Sequence, residues 1–163
     1  MGHPIIEHLL TNSVSSLESL GIYAHWSSKN PKKFGLNYDM IEAPEGNPLV
    51  EACRGLVIRQ ISGEPGQPGE YQVLAFPFPR FYNLGSGHAA AIDWTTAVFE
   101  EKMDGTLCIV YFDPDLNEWC VATRSVPDAD IPNHQGETFS NLFWKHNTSG
   151  QEWDKEYTYL YEL

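Results

Sequence analysis

The sequence predicts an α+β domain on a mainly antiparallel sheet with flanking helices. β-rich runs follow one another across tight turns, most clearly at residues 106–112 and 118–125 around Asp113-Pro114-Asp115-Leu116-Asn117. The helical periodicities lie outside this run of strands. Hydrophobic residues fill 42% of the 163 positions and aromatics 13%, enough to bury a core, so one domain over residues 1–163 is expected.

Taken in order, Ile5, Ile6, Leu9, Leu10, Val14, Leu17 and Leu20 recur at spacings of three and four, and Gly21 follows as a stop. The pattern predicts one amphipathic helix over residues 4–20. Residues 22–28 read as a strand, and Asn30-Pro31-Lys32-Lys33 as a turn with a small basic cluster. Leu56, Val57 and Ile58 centre a buried strand over 52–61, and the Gly/Pro-rich stretch 62–69 is a surface loop. A strand resumes at 71–78, with Pro77 and Pro79 marking its exit from the sheet. Small residues at 85–91 lead to a short helical turn near Trp94. Residues 98–102 are strand-like, Met103-Asp104-Gly105 is a turn, and the meander continues through 106–112 and 118–125. A polar loop at 127–136, a short helix at 138–146 and a last strand at 157–163 complete the reading.

Ten Lys and Arg against 22 Asp and Glu give a net charge of −12, which argues against a general nucleic-acid coat and confines any RNA contact to a local cleft. Arg54, Arg59, Arg80, Lys102 and Arg124 each sit in or beside a strand-like segment of the middle third. No apolar run approaches the roughly 20 residues of a bilayer span, and the N-terminus has no leader-like pattern, so a soluble cytoplasmic protein with no membrane partner is expected. Cys53, Cys108 and Cys120 lie in apolar runs without paired spacing and read as buried free thiols. Neither they nor the six histidines show metal-ligand spacing. The aromatic tail, Phe139 to Tyr161, reads as core because Glu152, Asp154 and Glu156 accompany it.

Lys102-Met103-Asp104-Gly105 carries the candidate chemistry. A lysine at a strand end is held in place as a nucleophile, Gly105 permits a tight turn, and Asp104 can orient the ammonium or nearby amides. The amine attacks only when neutral, which burial or neighbouring cations favour; Glu100, on the same face by alternation, works the other way.

Around this motif the chain resembles the phage-type RNA ligase 1 family, within the covalent nucleotidyltransferases. Ala52-Cys53-Arg54-Gly55-Leu56-Val57 is similar to the family's Arg-Gly strand, and Phe78-Pro79-Arg80-Phe81-Tyr82-Asn83 to its basic-aromatic-aromatic-Asn segment. Lys102-Met103-Asp104-Gly105 resembles the first nucleotidyltransferase motif, Ala122-Thr123-Arg124-Ser125 the next, and Tyr159-Leu160-Tyr161-Glu162 the third. Five segments in the right order cover the chain from about Arg54 to its last residues.

The resemblance implies a partial nucleotidyltransferase (ATP-grasp-like ligase) adenylation domain using ATP and Mg²⁺. Lys102 would attack the α-phosphate, expel pyrophosphate and form lysyl-AMP. Arg54 and Arg80 would stabilise the triphosphate tail, Arg124 and Glu162 would hold the ribose or phosphate, Tyr82 would pack at the base pocket, and Asp104 and Gly105 would shape the nucleotide site. AMP would pass to an RNA 5′-phosphate, and a 3′-hydroxyl would displace it to seal the strand. Arg80 stands where the family more often has lysine, and no glycine follows Ser125 where one is expected. Family members continue to a metal-binding glutamate and α-phosphate-binding lysines, so the resemblance implies a partner chain or C-terminal remainder. The alternative is a ligase-derived nucleotide- or protein-binding module without turnover; a capping-type guanylyltransferase or a DNA ligase is a lesser one.

Overall fold

A computed structural model describes residues 2–147 and 152–163. Four strands, β1 (Ile22–Trp26), β2 (Lys33–Tyr38), β3 (Leu56–Gln60) and β4 (Tyr71–Ala75), form one sheet in that spatial order. A second sheet has the order β6-β5-β7, from β5 (Leu107–Asp113), β6 (Glu118–Ala122) and β7 (Tyr159–Glu162). Every strand pairing is antiparallel. The α+β class holds, with two sheets in place of one.

Strand alternation sorts the side chains into layers. Phe34 and Leu36 of β2 and Leu56 and Ile58 of β3 face Ile5, Leu9 and Leu17 of the N-terminal helical segments. Val57, on the opposite face of β3, joins Ala75 against Ile109, Tyr111, Cys120 and Ala122, so the two sheets pack face to face. The outer face of the second sheet, with Cys108, Val110 and Val121, is covered by Phe143 of helix α3 (Phe139–His146). Helix, sheet, sheet and helix therefore stack in that order.

The expected 4–20 helix is instead α1 (Pro4–Leu9) followed by a 3-10 segment, Val14–Leu20. The break has local causes. Asn12 Nδ2 donates to the His8 carbonyl at 2.9 Å, and the Val14 amide bonds Gly66 of the 62–69 loop at 2.8 Å. Ser16 and Ser19 hydroxyls donate to carbonyls three residues back, at 2.6 and 2.8 Å, competing with α-helical pairing. A four-residue helix α2 (Pro48–Glu51) precedes β3.

β2 was not expected, and with it the setting of Lys33 is corrected from a turn to the inter-sheet layer. Its side chain is fully buried, with Nζ 2.8 Å from Asp113 Oδ2 and 2.9 Å from Asp128 Oδ1. Asp113 stands at the end of β5 and Asp128 in the loop after β6; Ser27 Oγ donates to Asp128 Oδ2 at 2.6 Å. The supposedly polar 127–136 loop therefore opens with the buried residues Asp128 and Ala129.

The strand expected at 98–102 is absent, and residues 76–106 contain neither helix nor strand beyond turns. A hairpin with 106–112 would need the edge of β5, but β7 occupies it, with Leu107 opposite Glu162 and Val110 opposite Tyr159. Val98 and Phe99 are consequently left in solvent. The three cysteines are free and buried, and burial pushes the Cys108 and Cys120 thiols up to about 11. Among the described residues no helix is long and apolar enough to cross a membrane.

Candidate functional site

One end of the inter-sheet layer collects arginines. Arg54 lies just before β3, its position fixed by Gly55, whose φ of +78° suits glycine. A Cβ at Gly55 would come within 2.8 Å of Ile109 Cδ1 and 3.3 Å of Arg124 Cα, so the Arg54 backbone is held against the end of β6. Gly55→Ala is expected to destabilise the fold by roughly 1–3 kcal/mol, measured as a lower urea midpoint, because it combines a strained φ with a collision against the opposite sheet.

The Arg54 guanidinium lies 4.4 Å from the Phe78 ring centroid and 5.0 Å from that of Phe81. Its Nη1 is buried and has no hydrogen-bond partner. Burial lowers its pKa and the nearby Arg124 lowers it further, while Tyr38 and Glu162 act in the opposite sense. Arg124, which follows β6, donates through Nε to Asn37 Oδ1 at 3.1 Å and lies 5.4 Å from the Tyr38 ring. Parity explains the convergence. Asn37 points from β2 toward the second sheet, and Glu162 leaves β7 on the face opposite Tyr159 and Tyr161, which pack toward α3.

Arg80 is more fully engaged. Its guanidinium lies 4.7 Å from the Tyr38 ring and 4.9 Å from that of Tyr82, Nη1 donates to the Ala43 carbonyl at 3.3 Å, and Glu45 is 3.8 Å away. Tyr82 donates its hydroxyl to Glu51 Oε1 in a short hydrogen bond and accepts one from the Gly46 amide at 3.1 Å. Burial and the Glu51 contact push the Tyr82 hydroxyl up. Arg59 stands apart, its guanidinium shared between Gln72 and Asp115, where it links β3 to the β5–β6 turn.

Lys102 behaves differently from the arginines. Its side chain is 86% exposed and its ammonium is 3.5 Å from Asp104 Oδ1, which is itself in solvent. Gly105 has no positive φ, so the expected turn-making role gives way to close approach: a Cβ there would be 2.5 Å from the Leu163 carbonyl oxygen and 3.1 Å from Glu162 Cγ. Thr106 and Leu163 exchange backbone bonds at 2.8 and 3.1 Å. The segment bearing Lys102 thus enters the fold beside Glu162, while its ammonium points away into water.

Of the residues expected from sequence, Arg124 and Glu162 both lie within electrostatic reach of Arg54, and Tyr38 links Arg124 to Arg80 and through it Tyr82. Lys102 and Asp104 lie outside that group. Sequence reasoning missed Tyr38, Asn37 and Glu51; the aromatic pair Phe34 and Tyr38 beyond the Asn30-Pro31 turn was the signal for the strand that carries the first two. Among the described residues no three His, Cys, Asp or Glu side chains gather as a metal site. Comparison with protein-family models and with curated protein sequences gives no match.

Proposed function

We propose that the chain is the ATP-binding, lysine-adenylylating part of an RNA ligase, with Arg54 and Arg124 receiving phosphate oxygens and Lys102 accepting AMP. The observation that carries this reading is the buried, unpartnered Nη1 of Arg54 beside a second guanidinium. Two half-buried guanidiniums side by side favour an anion between them, and guanidinium forks match phosphate oxygens. Contacts join three of the segments that resemble the ligase motifs, Gly55 against Arg124 and Phe78 and Phe81 on Arg54, and separately the other two, Gly105 against Glu162.

In the proposed step the neutral Lys102 amine forms a bond to the α-phosphorus while the bond to the bridging oxygen of pyrophosphate breaks. The amine proton goes to solvent, and the arginines stabilise the departing pyrophosphate. The AMP then passes to an RNA 5′-phosphate, and a 3′-hydroxyl displaces it. Attack requires the 98–105 segment to bring its amine from solvent toward the arginines, where desolvation and like charge favour the neutral form. Where Mg²⁺ accompanies ATP, it supplies charge neutralisation of the phosphates.

A second reading, a nucleotide- or protein-binding module without turnover, is favoured by the solvent position of the Lys102 ammonium. Intact-mass spectrometry of the protein incubated with ATP and Mg²⁺ separates the two. Addition of one AMP to the native chain and none to Lys102→Ala is expected; ATP binding with no adduct on either favours the second reading.

A further inference from the structure

Residues 97–103 have the pattern of a strand and no sheet to join. Val98, Glu100 and Lys102 alternate with Phe99, Glu101 and Met103, and Val and Phe are residue types that strands favour. Val98 is 81% exposed, Phe99 86% and Met103 61%. Among the described residues, nothing hydrogen-bonds to the backbone amides and carbonyls between 97 and 105. The edge of β5 that this segment would need is filled by β7. An extended backbone with open donors and acceptors, flanked by exposed apolar side chains, is a template for pairing with another chain. We propose that residues 97–103 are a docking strand that adds to the open sheet edge of a second protein, one whose edge carries lysine or arginine.

The side chains define that partner. Phe99 and Met103 leave the strand on the same face, roughly 13 Å apart at the rise of an extended chain, and so call for two apolar pockets along one face of the partner sheet. Glu100 and Glu101 leave on opposite faces, and among the described residues neither carboxylate is in an ion pair. Cations on the neighbouring strand of the partner would answer both, whereas carboxylates there would repel them. Charge therefore selects against a second copy of this chain, which carries −12 of its own. Lys102 lies within the segment, so docking would also fix the backbone that bears it. That consequence rests on the function proposed above; the docking itself does not.

The probe is a synthetic β-hairpin whose free edge alternates arginine and valine, with a hairpin carrying glutamate in place of arginine as its counterpart. Calorimetric titration gives the affinities, and amide hydrogen exchange followed by NMR gives the geometry. The arginine hairpin is expected to bind and to slow exchange at every second amide from 98 to 103, because an added strand uses alternate amides. Phe99→Ser removes an anchor, and one of Glu100→Pro and Glu101→Pro removes a pairing amide, all at exposed positions. Phe99→Ser and one of the two proline variants are expected to weaken binding about tenfold or more, with an unchanged melting temperature. Absence of binding, equal affinity for the two hairpins, or exchange slowed at consecutive amides as in a helix overturns the proposal. So does a native dimer, seen by sedimentation, that Phe99→Ser dissociates, since the partner would then be a second copy. Neither titration uses ATP or RNA, so a missing AMP adduct leaves the docking strand standing, and a failed titration leaves the ligase reading untouched.

Discussion

Lys33→Met is expected to lower the stability of the fold by ~3–5 kcal/mol, the usual scale for breaking a buried ion pair from one side. The substitution keeps most of the side-chain volume but removes the cation between Asp113 and Asp128, two carboxylates that are themselves buried. Each would then have to stay charged without Lys33 or take up a proton, and both alternatives oppose folding. Combining Lys33→Met with Asp113→Asn and Asp128→Asn is expected to recover much of the loss, since neutral amides relieve the stranded charge. Urea unfolding of the single and triple variants measures both effects. The pH dependence follows from the shifts. For Lys33, burial alone would lower the pKa, but the Asp113 contact, Cys120 and the Asp128 contact raise it above the ordinary lysine value. For Asp128, burial alone would raise the pKa, but Ser27 and Lys33 hold it below the ordinary carboxylate value. The ion-pair contribution is therefore full between about pH 4 and pH 10, the ordinary Asp and Lys values. It is lost in acid as pH falls through the depressed Asp128 value, and in alkali as pH rises through the elevated Lys33 value.

Arg54→Leu is expected to have effects of opposite sign on binding and on stability. Phosphate affinity should fall by about 100-fold, because the half-buried Arg54 guanidinium, with a donor left without a partner, bonds an anion more strongly than a fully solvated one does. The unliganded protein should be no less stable, and its Tm is expected to be equal or higher. In the free state Arg54 carries a buried Nη1 without a partner and a like-charged neighbour in Arg124; leucine relieves both while keeping apolar contact with Phe78 and Phe81. Calorimetric titration with ATP and a thermal melt of the same preparation give the two numbers. A variant that loses both binding and stability would mark Arg54 as a packing residue.

The legible parts of the fold were those specified by neighbours in sequence. Asp113 to Asn117 announces the β5–β6 turn, and the Asp113 carboxylate does accept the amides of Asp115 and Leu116 at 3.0 and 3.3 Å. Thr138 was placed at the start of the last helix, and its hydroxyl caps α3 by accepting the Asn141 amide at 3.1 Å. The parts that were not legible depend on distant partners. β2 shows apolar alternation at Phe34, Leu36 and Tyr38, but its other face carries Lys33, which read as part of a turn, with Gly35 and Asn37, and that face makes sense only once the second sheet supplies Asp113, Pro127 and Arg124. Residues 98–102 have the alternation of a strand, yet strand formation needs a free edge, and β7 had taken it. The arginine cluster was legible only as separate residues; the parity of β2, β3, β6 and β7 brings them together. The position of Lys102 could not be read from the Lys-x-Asp-Gly pattern, because a turn motif fixes backbone direction without saying which side of the chain the fold will cover.

Locating the bound nucleotide is the most direct test of the proposed chemistry. Native protein treated with ATP and Mg²⁺ would be digested under alkaline conditions, which spare a phosphoramidate, and its peptides sequenced by tandem mass spectrometry. AMP on the peptide containing Lys102, absent from that peptide in Arg54→Leu, is the expected result. AMP on a different lysine, or ATP bound at Arg54 with every lysine unmodified, would contradict it.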